Sequence, residues 1–407
     1  MRIRTMLNQV SRIALASAIA LAAHPAWALD ADDFGSKLKA AVQFFGVSVD
    51  YASATAEGNT VTLSDFTIYI PGEDDVEVPG DIVFSGVSEA SDGGYEVERA
   101  STADIEIDDL EEDVSVSLRN IAVTGITIPA ALDFSNILPQ ALRLYETASM
   151  GPLSISKDGE EVFSVASISG VMDLGEDMSA IATSLEISGI SGDLSSIPDE
   201  EATEVLAAFG LEQFNGWVGA TTVWYPETGQ AVLEDFVFTV DDLAALRFSA
   251  TIGGYTRAFY QEMLKINLKM AELAQAGETI QEAEMAAFEE AMLEKLMEIQ
   301  VEKLAIRYED ASLFMKILDF AAAEQGIDGA TLASGLKFMV PMVLAEVPDA
   351  AFKASVTRAV NAFIDNPQSI EIVAEPDSPV GVAEFAAAED DPFVLVDLLN
   401  VQVRANQ

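Results

Sequence analysis

The sequence predicts an α+β protein: a long antiparallel β-sheet built from repeated strand–acidic turn–strand units, with a C-terminal helical layer including an αα-hairpin. Three observations carry this. From Val47 to about Gly254 apolar residues alternate with polar ones in short runs punctuated by Gly, Asp and Pro, as in a sheet with one buried face. A strand, an acidic turn and a second strand recur along that region. From residue 255 the apolar period becomes helical.

Residues 1–28 read as a signal peptide. Arg2, Arg4 and Arg12 flank an apolar core at 13–23, and Ala26-Trp27-Ala28 fits the small-x-small cleavage rule. The core is shorter than the roughly 20 apolar residues a membrane span requires. There is no adjacent arginine pair in it and no cysteine for a lipid anchor. The expectation is Sec export to the periplasm of a Gram-negative bacterium, with a mature chain starting near Leu29.

Residues 29–254 are then the β-rich repeat region. An amphipathic helix over 32–45, with Phe34, Leu38, Val42 and Phe45 on one side, precedes it. The unit recurs at 61–87 (turn Glu73, Asp74, Asp75), 102–128 (turn 108–113), 162–190 (turn Glu176, Asp177) and 233–252 (turn Asp241, Asp242). A single alternating strand is expected over 61–70. A fifth copy starts at Val301 and has Glu309 and Asp310 at its turn. Ile128-Pro129 and Ile197-Pro198 lie 69 residues apart, each followed by a predicted helix (134–147 and 199–209), and Leu233 and Val301 lie 68 apart. Such spacing points to internal duplication.

Residues 255–407 are the mostly helical region, with strands near 301–308, 369–374 and 401–405 that can rejoin the sheet. Its start is the helical hairpin at 255–300. Phe259, Met263, Ile266, Met270 and Leu273 follow one another at spacings of 4, 3, 4 and 3, one stripe of a helix. Gly277 breaks the pattern, and Thr279 with Glu282 forms a capping box for a second helix. That helix carries Met285, Phe288, Met292, Leu296 and Ile299 as its stripe. Helices over 311–325, 330–345, 349–364 and 393–399 complete the layer.

Composition narrows the function. Without residues 1–28 the chain keeps 18 basic residues against 68 acidic ones, a formal charge of −50. So acidic a chain repels phosphate backbones and anionic headgroups, which argues against nucleic acid as a partner. Solubility in a salty environment is the simple reading; a cationic partner or bridging divalent ions is the sharper one. With 50% hydrophobic residues and a mean hydropathy of +0.25 the chain is too apolar for disorder. No run after the signal reaches membrane-spanning length, and the most apolar, 336–344, carries Pro341.

Once His24 is removed, the mature chain holds no histidine and no cysteine. Ser-His-Asp and Cys-His catalysis, zinc sites and histidine- or cysteine-ligated haem or iron–sulfur clusters lose their usual groups. Ser-x-x-Lys occurs at Ser36–Lys39, Ser154–Lys157 and Ser334–Lys337, yet no Lys-Thr-Gly accompanies it. A glycosidase needs two carboxyls roughly 5–9 Å apart across an aromatic-lined cleft. With 68 acids spacing singles out no pair, and Trp217 and Trp224 read as core or edge residues of a strand. The acidic clusters at 73–75, 108–113, 199–201 and 389–391 match no calcium loop and sit at turns and helix starts, where acids stabilise without a ligand. Phosphate-binding glycine loops are absent. The sequence therefore nominates no catalytic, cofactor-binding or metal-binding residue and no cofactor.

Eight of the 13 methionines lie between Met263 and Met342, several on the hairpin stripes. Methionine-rich apolar faces pack as core or adapt to varied apolar partners. A long strand series with one apolar face on an exported chain resembles, in architecture, the groove-forming repeat proteins that carry or hold lipids in the bacterial envelope. The resemblance implies a non-enzymatic binding protein holding a hydrophobic ligand or an envelope partner in an apolar groove. The alternatives are an envelope interaction protein docking through the 255–300 hairpin and a carboxylate-based hydrolase.

Overall fold

A computed structural model describes residues 29–70, 75–108, 113–133, 137–195, 200–275, 290–388 and 392–407. The predicted signal peptide lies outside them. The predicted fold class is what it shows: a large antiparallel sheet with helices concentrated toward the C-terminus.

The helix α1 (Ala31–Val42) leads in, capped by the Asp30 carboxylate, which accepts from Asp33 N at 3.0 Å. Next come β1 (Ser48–Asp50), β2 (Ser53–Glu57), β3 (Thr60–Ser64), β4 (Thr67–Tyr69) and β5 (Val76–Glu77). The strand expected over 61–70 is in fact two. Asp65 adopts a left-handed conformation (φ 53°), so β3 stays in the main sheet while β4 joins β1 and β5 in a separate three-stranded sheet.

The main sheet continues with β6 (Ile82–Ser85) and β7 (Ser88–Glu89), both paired to one edge of β8 (Tyr95–Thr102). β9 (Ile105–Ile107) and β10 (Val114–Leu118) form the next hairpin, followed by β11 (Ala122–Ile128), β12 (Thr147–Met150), β13 (Leu153–Lys157) and β14 (Glu160–Asp173). β15 (Ile181–Asp193), β16 (Gln213–Tyr225), β17 (Gln230–Val240), β18 (Ala244–Gly253) and β19 (Gln300–Asp310) follow as neighbours in chain order. β20 (Ser369–Ala374) and β21 (Val380–Gly381) pair with β19, and β22 (Val401–Ala405) closes the order beside β20. β8 with β9, β10 with β11, and β12 with β13 are each one long strand broken near its middle. The result is a meander of sequential neighbours that runs across position 254. Among the described residues no pairing joins β2 to β22, so the sheet is open.

Helices cover its two ends. α2 (Ile137–Leu142) and α4 (Arg257–Gln275) sit with Phe44 at one end, and between them in the chain lies α3 (Glu200–Phe209). α5 (Leu313–Glu324), α6 (Gly329–Val343) and α7 (Ala350–Asp365) gather at the other end, where Phe320 of α5 meets Phe209 of α3 at 5.5 Å between ring centroids. Phe363 of α7 is buried against Tyr308 and Phe314, at 6.0 and 4.9 Å.

Two helix expectations need correction. Among the described residues the helix predicted over 134–147 stops with α2 at Leu142, and Thr147–Met150 is strand β12, hydrogen-bonded on both edges to β11 and β14. A ladder on both sides outweighs local helix propensity. In the hairpin, α4 forms and residues 290–296 are helical, while Gly277, the Thr279–Glu282 capping box, Met285 and Phe288 lie outside the described residues. Of the predicted stripe Phe259 is buried, but Met263, Ile266 and Met270 are only half-buried, and Leu264, Leu268 and Ala271 take the buried positions further along α4. α4 has apolar residues on two faces, and the position of Phe44, Ile137 and Ala141 chooses between them.

Register makes one row of the sheet apolar from edge to edge. Ala56, Val61, Phe84, Ala100, Val123, Ala148 and Gly170 stand directly opposite one another on successive strands. Leu185, Ala220, Phe236, Phe248, Ile306, Ile372 and Val403 continue the row to the far edge. Directly opposed residues share a face, so the row defines an inner face. The outer face carries polar rows: Ser149, Ser169 and Glu186 stand opposite one another, as do Arg247, Arg307, Glu371 and Arg404.

Candidate functional site

A groove follows the central row. Phe84, Ala100, Val123 and Ala148 floor a cavity of about 500 Å³. Gly170, Leu185 and Ala220, the next three members, floor a second one of about 320 Å³, and Tyr145 lines both. The floor thus crosses from β6 to β16, six strand spacings or about 29 Å at about 4.8 Å each. Residue size explains the room. Ala100, Ala148, Gly170 and Ala220 place small side chains where regular packing would place large ones.

The roof of the first cavity is Leu38 and Val42 of α1, Phe45 just after it, and Phe66, Ile68 and Val78 around the small sheet. Phe45 is 51% exposed at the rim, with its ring 6.2 Å from that of Tyr145. α1 is pinned down on its other side. Asp33 accepts from Lys37 Nζ at 2.5 Å and from Tyr95 Oη at 2.6 Å, and Lys37 also donates to Gly93 O at 2.8 Å. The Lys37 hydrogen bond, then that of Tyr95, holds the Asp33 carboxyl below the usual carboxylate range. Burial, reinforced by Asp33, pushes the Tyr95 phenol well up. Beneath, Phe34 packs edge-on against Phe84 and Tyr95, at 5.0 and 5.2 Å.

A crease keeps the face apolar over its full width. In a regular strand residues i and i+3 point to opposite faces. Here Thr102 and Ile105 line the same cavity, and Leu118, opposite Ile105, lies three residues before Ile121, which also lines it. The row running through Ile105, Leu118, Leu153, Val165 and Ile190 therefore shares the face of the row Met150, Ile168 and Ile187. The switch is made by aligned irregularities. Asn120 (φ 54°), Gly151 (φ 126°) and Gly189 (φ 61°) lie in left-handed conformations, and Asn120 N donates to Asp104 Oδ1 at 3.2 Å. Bulges of this kind re-aim side chains and bend the strand.

No lining residue of either cavity carries an ionisable group other than Tyr145. Such a lining offers shape and desolvation to an apolar chain. The residues weighed from sequence lie elsewhere. Lys39 pairs with Asp50 at 2.5 Å, Lys337 pairs with Asp365, and Ser334 Oγ donates to its own helix at Ala330 O. Ser154 and Lys157 are in extended β13. Among the described residues no group of three or more Asp or Glu is arranged to hold a metal ion. Trp224 is 8% exposed and donates Nε1–H to Tyr255 O at 2.6 Å, whereas Trp217 is 38% exposed on the outer face. None of the methionines on α4 lines the groove; among the described residues Met172 is the one methionine that does. The small residues that make it were not singled out from sequence, because their alignment is a property of register.

The model of a family described as "Uncharacterized protein" matches residues 237–406, the stretch from the end of β17 to β22. That match takes in the C-terminal strands and helices and none of the residues lining these two cavities. No curated protein matches the chain.

Proposed function

We propose that the protein is an exported, periplasmic, non-enzymatic binding protein that holds a hydrophobic ligand of the lipid acyl-chain class across the strands of its sheet. The observation that carries this reading is the run Phe84 to Ala220, in which seven consecutive members of one cross-strand row floor two adjoining cavities without a charged side chain. At about 500 and 320 Å³ both fall in the roughly 300–1,000 Å³ range of small-molecule sites. The direction of the groove supports an extended, flexible chain over a compact one. Beyond Ala220 the face stays open, with Phe238 at 43%, Leu246 at 38% and Ile306 at 39% exposure. Export is supported by the signal-like sequence at 1–28.

The test is mass spectrometry of an organic extract of mature protein purified from its own host, repeated after incubation with envelope lipids. A stoichiometric lipid that survives washing supports the reading and names the ligand class. A clean extract from both preparations sinks it.

A further inference from the structure

Among the described residues the most exposed large apolar side chains lie on the last turns of α6. Phe338, Met339, Met342 and Val343 are 81, 54, 74 and 75% exposed. Single exposed hydrophobics are ordinary; four large ones on consecutive turns mark an interaction surface. α6 rides on α5 and α7 rather than on the sheet. The α5–α6 pair is apolar enough to resemble a broken membrane span, although bent by 98°.

Charge decides what covers this tip. The chain as a whole carries a formal −47, yet residues 326–365 hold only four acids against three bases. Two of the bases, Lys353 and Arg358 on α7, have no ion pair among the described residues and face a cleft of about 460 Å³ against α6. Pro341, Leu344 and Thr357 complete that cleft, so an apolar wall, a hydroxyl and two cations meet in one place beside the exposed tip. Lys337, on the flank of α6, is by contrast already paired with Asp365.

We infer that the α6–α7 tip docks on a phospholipid bilayer: Phe338, Met342 and Val343 enter the interface while Lys353, Arg358 and Thr357 hold a headgroup phosphate in the cleft. Insertion of an apolar helical edge with cations at headgroup depth is the physics of interfacial helices. The acidic remainder does not prevent it. At physiological ionic strength charges are screened beyond about 8 Å, and the tip itself is close to neutral, with a formal −1 over residues 326–365. The inference does not depend on the groove being occupied.

The test is flotation of the mature protein with vesicles of phosphatidylethanolamine and phosphatidylglycerol, alongside vesicles of phosphatidylcholine. The wild type is expected to float with both and more with the first. Replacing Phe338→Asp and Met342→Asp together should cut the bound fraction at least about tenfold. Replacing Lys353→Glu and Arg358→Glu together should remove the preference for the anionic vesicles. Phe338, Met342 and Arg358 are exposed and Lys353 is half-buried, and unchanged thermal unfolding verifies that each variant is folded. Failure of the wild type to float, or equal flotation of the Phe338→Asp/Met342→Asp protein, overturns the inference. So does a wild-type dimer in sedimentation that the same pair of substitutions dissociates, since the tip would then cover itself with a second copy.

Discussion

Gly170 on β14 stands directly opposite Leu185 on β15, and Leu185 is 40% exposed because its neighbour has no side chain to lay against it. The gap is open: a Cβ built on Gly170 would meet nothing nearer than Ser184 O at 3.8 Å. A strand glycine normally weakens its sheet, so this one trades local stability for the floor of the second cavity. Gly170→Val should leave stability unchanged or raise it by up to about 1 kcal/mol, measured by urea unfolding. The same substitution should reduce the lipid recovered with the protein. Loss of stability together with unchanged lipid would refute this account of Gly170.

Gly189 is a different case. At φ 61° a Cβ would also sit 2.6 Å from the Ala166 Cβ. Gly189→Val should cost about 1–2 kcal/mol for the left-handed backbone alone, more with the clash. Ile187 and Ile190 on either side, paired to Val218 and Gly216, should lose their common face. A variant as stable as the wild type would show that the crease is not fixed at this position.

Arg247 and Arg307 are directly opposed on the outer face, a repulsive arrangement relieved by Glu309. Glu309 accepts from Arg247 Nε at 3.2 Å and from Arg307 Nε at 2.8 Å, and Asp235 accepts from Arg247 Nη1 at 2.6 Å. Burial alone would raise the Glu309 carboxyl, but the hydrogen bonds from Arg307 and Arg247 bring it below its ordinary value. Its folded-state pKa is depressed, so its contribution is complete above the unfolded carboxylate pKa and is lost as pH falls through the folded value. Glu309→Gln should cost about 1 kcal/mol at neutral pH, as these side chains are partly exposed. As pH falls through that depressed value the two proteins should converge in stability, which denaturant titrations at neutral and at acid pH will show.

Tyr255 behaves in the opposite sense. Its ring lies among Trp224, Phe259 and Tyr260, at 5.5, 4.9 and 6.0 Å, and burial pushes its phenol up to about 12. A raised folded-state pKa favours the folded protein below the unfolded value near 10, and that share is lost as pH rises through about 12. Tyr255→Phe keeps the packing, so Tm at pH 7 should stay within about 2–4 °C. The decline of Tm between pH 10 and 12 should become shallower. An identical alkaline decline would exclude Tyr255 as its source.

Phe34 is fully buried between Phe84 and Tyr95 and holds α1 over the cavity. Phe34→Ala should destabilise by about 3–5 kcal/mol. Tyr95→Phe keeps the ring, losing only the bond to Asp33, and should cost about 1 kcal/mol. A calorimetric difference of the reverse order would place the anchor of α1 in the hydrogen bond.

Much of this architecture was legible in the chain. Period-two alternation, acidic turns such as Asp241-Asp242 and the switch to helical spacing after residue 255 are local properties, and local residues decide them. What the central row does was not legible. Alternation shows that Ala148, Gly170, Leu185 and Ala220 each lie on one face of its strand, but which of them stand opposite one another depends on pairing register across more than 70 residues. Likewise α4 offers two apolar faces, and only the packing partners Phe44, Ile137 and Ala141 select Leu264 and Leu268 over Met263 and Ile266. The sequence by itself determined the fold class, the acidic charge, and the lack of histidine and cysteine in residues 29–407. Only the tertiary structure decided where small side chains coincide to leave a groove, because a cavity is the joint product of many strands and no single segment encodes its volume.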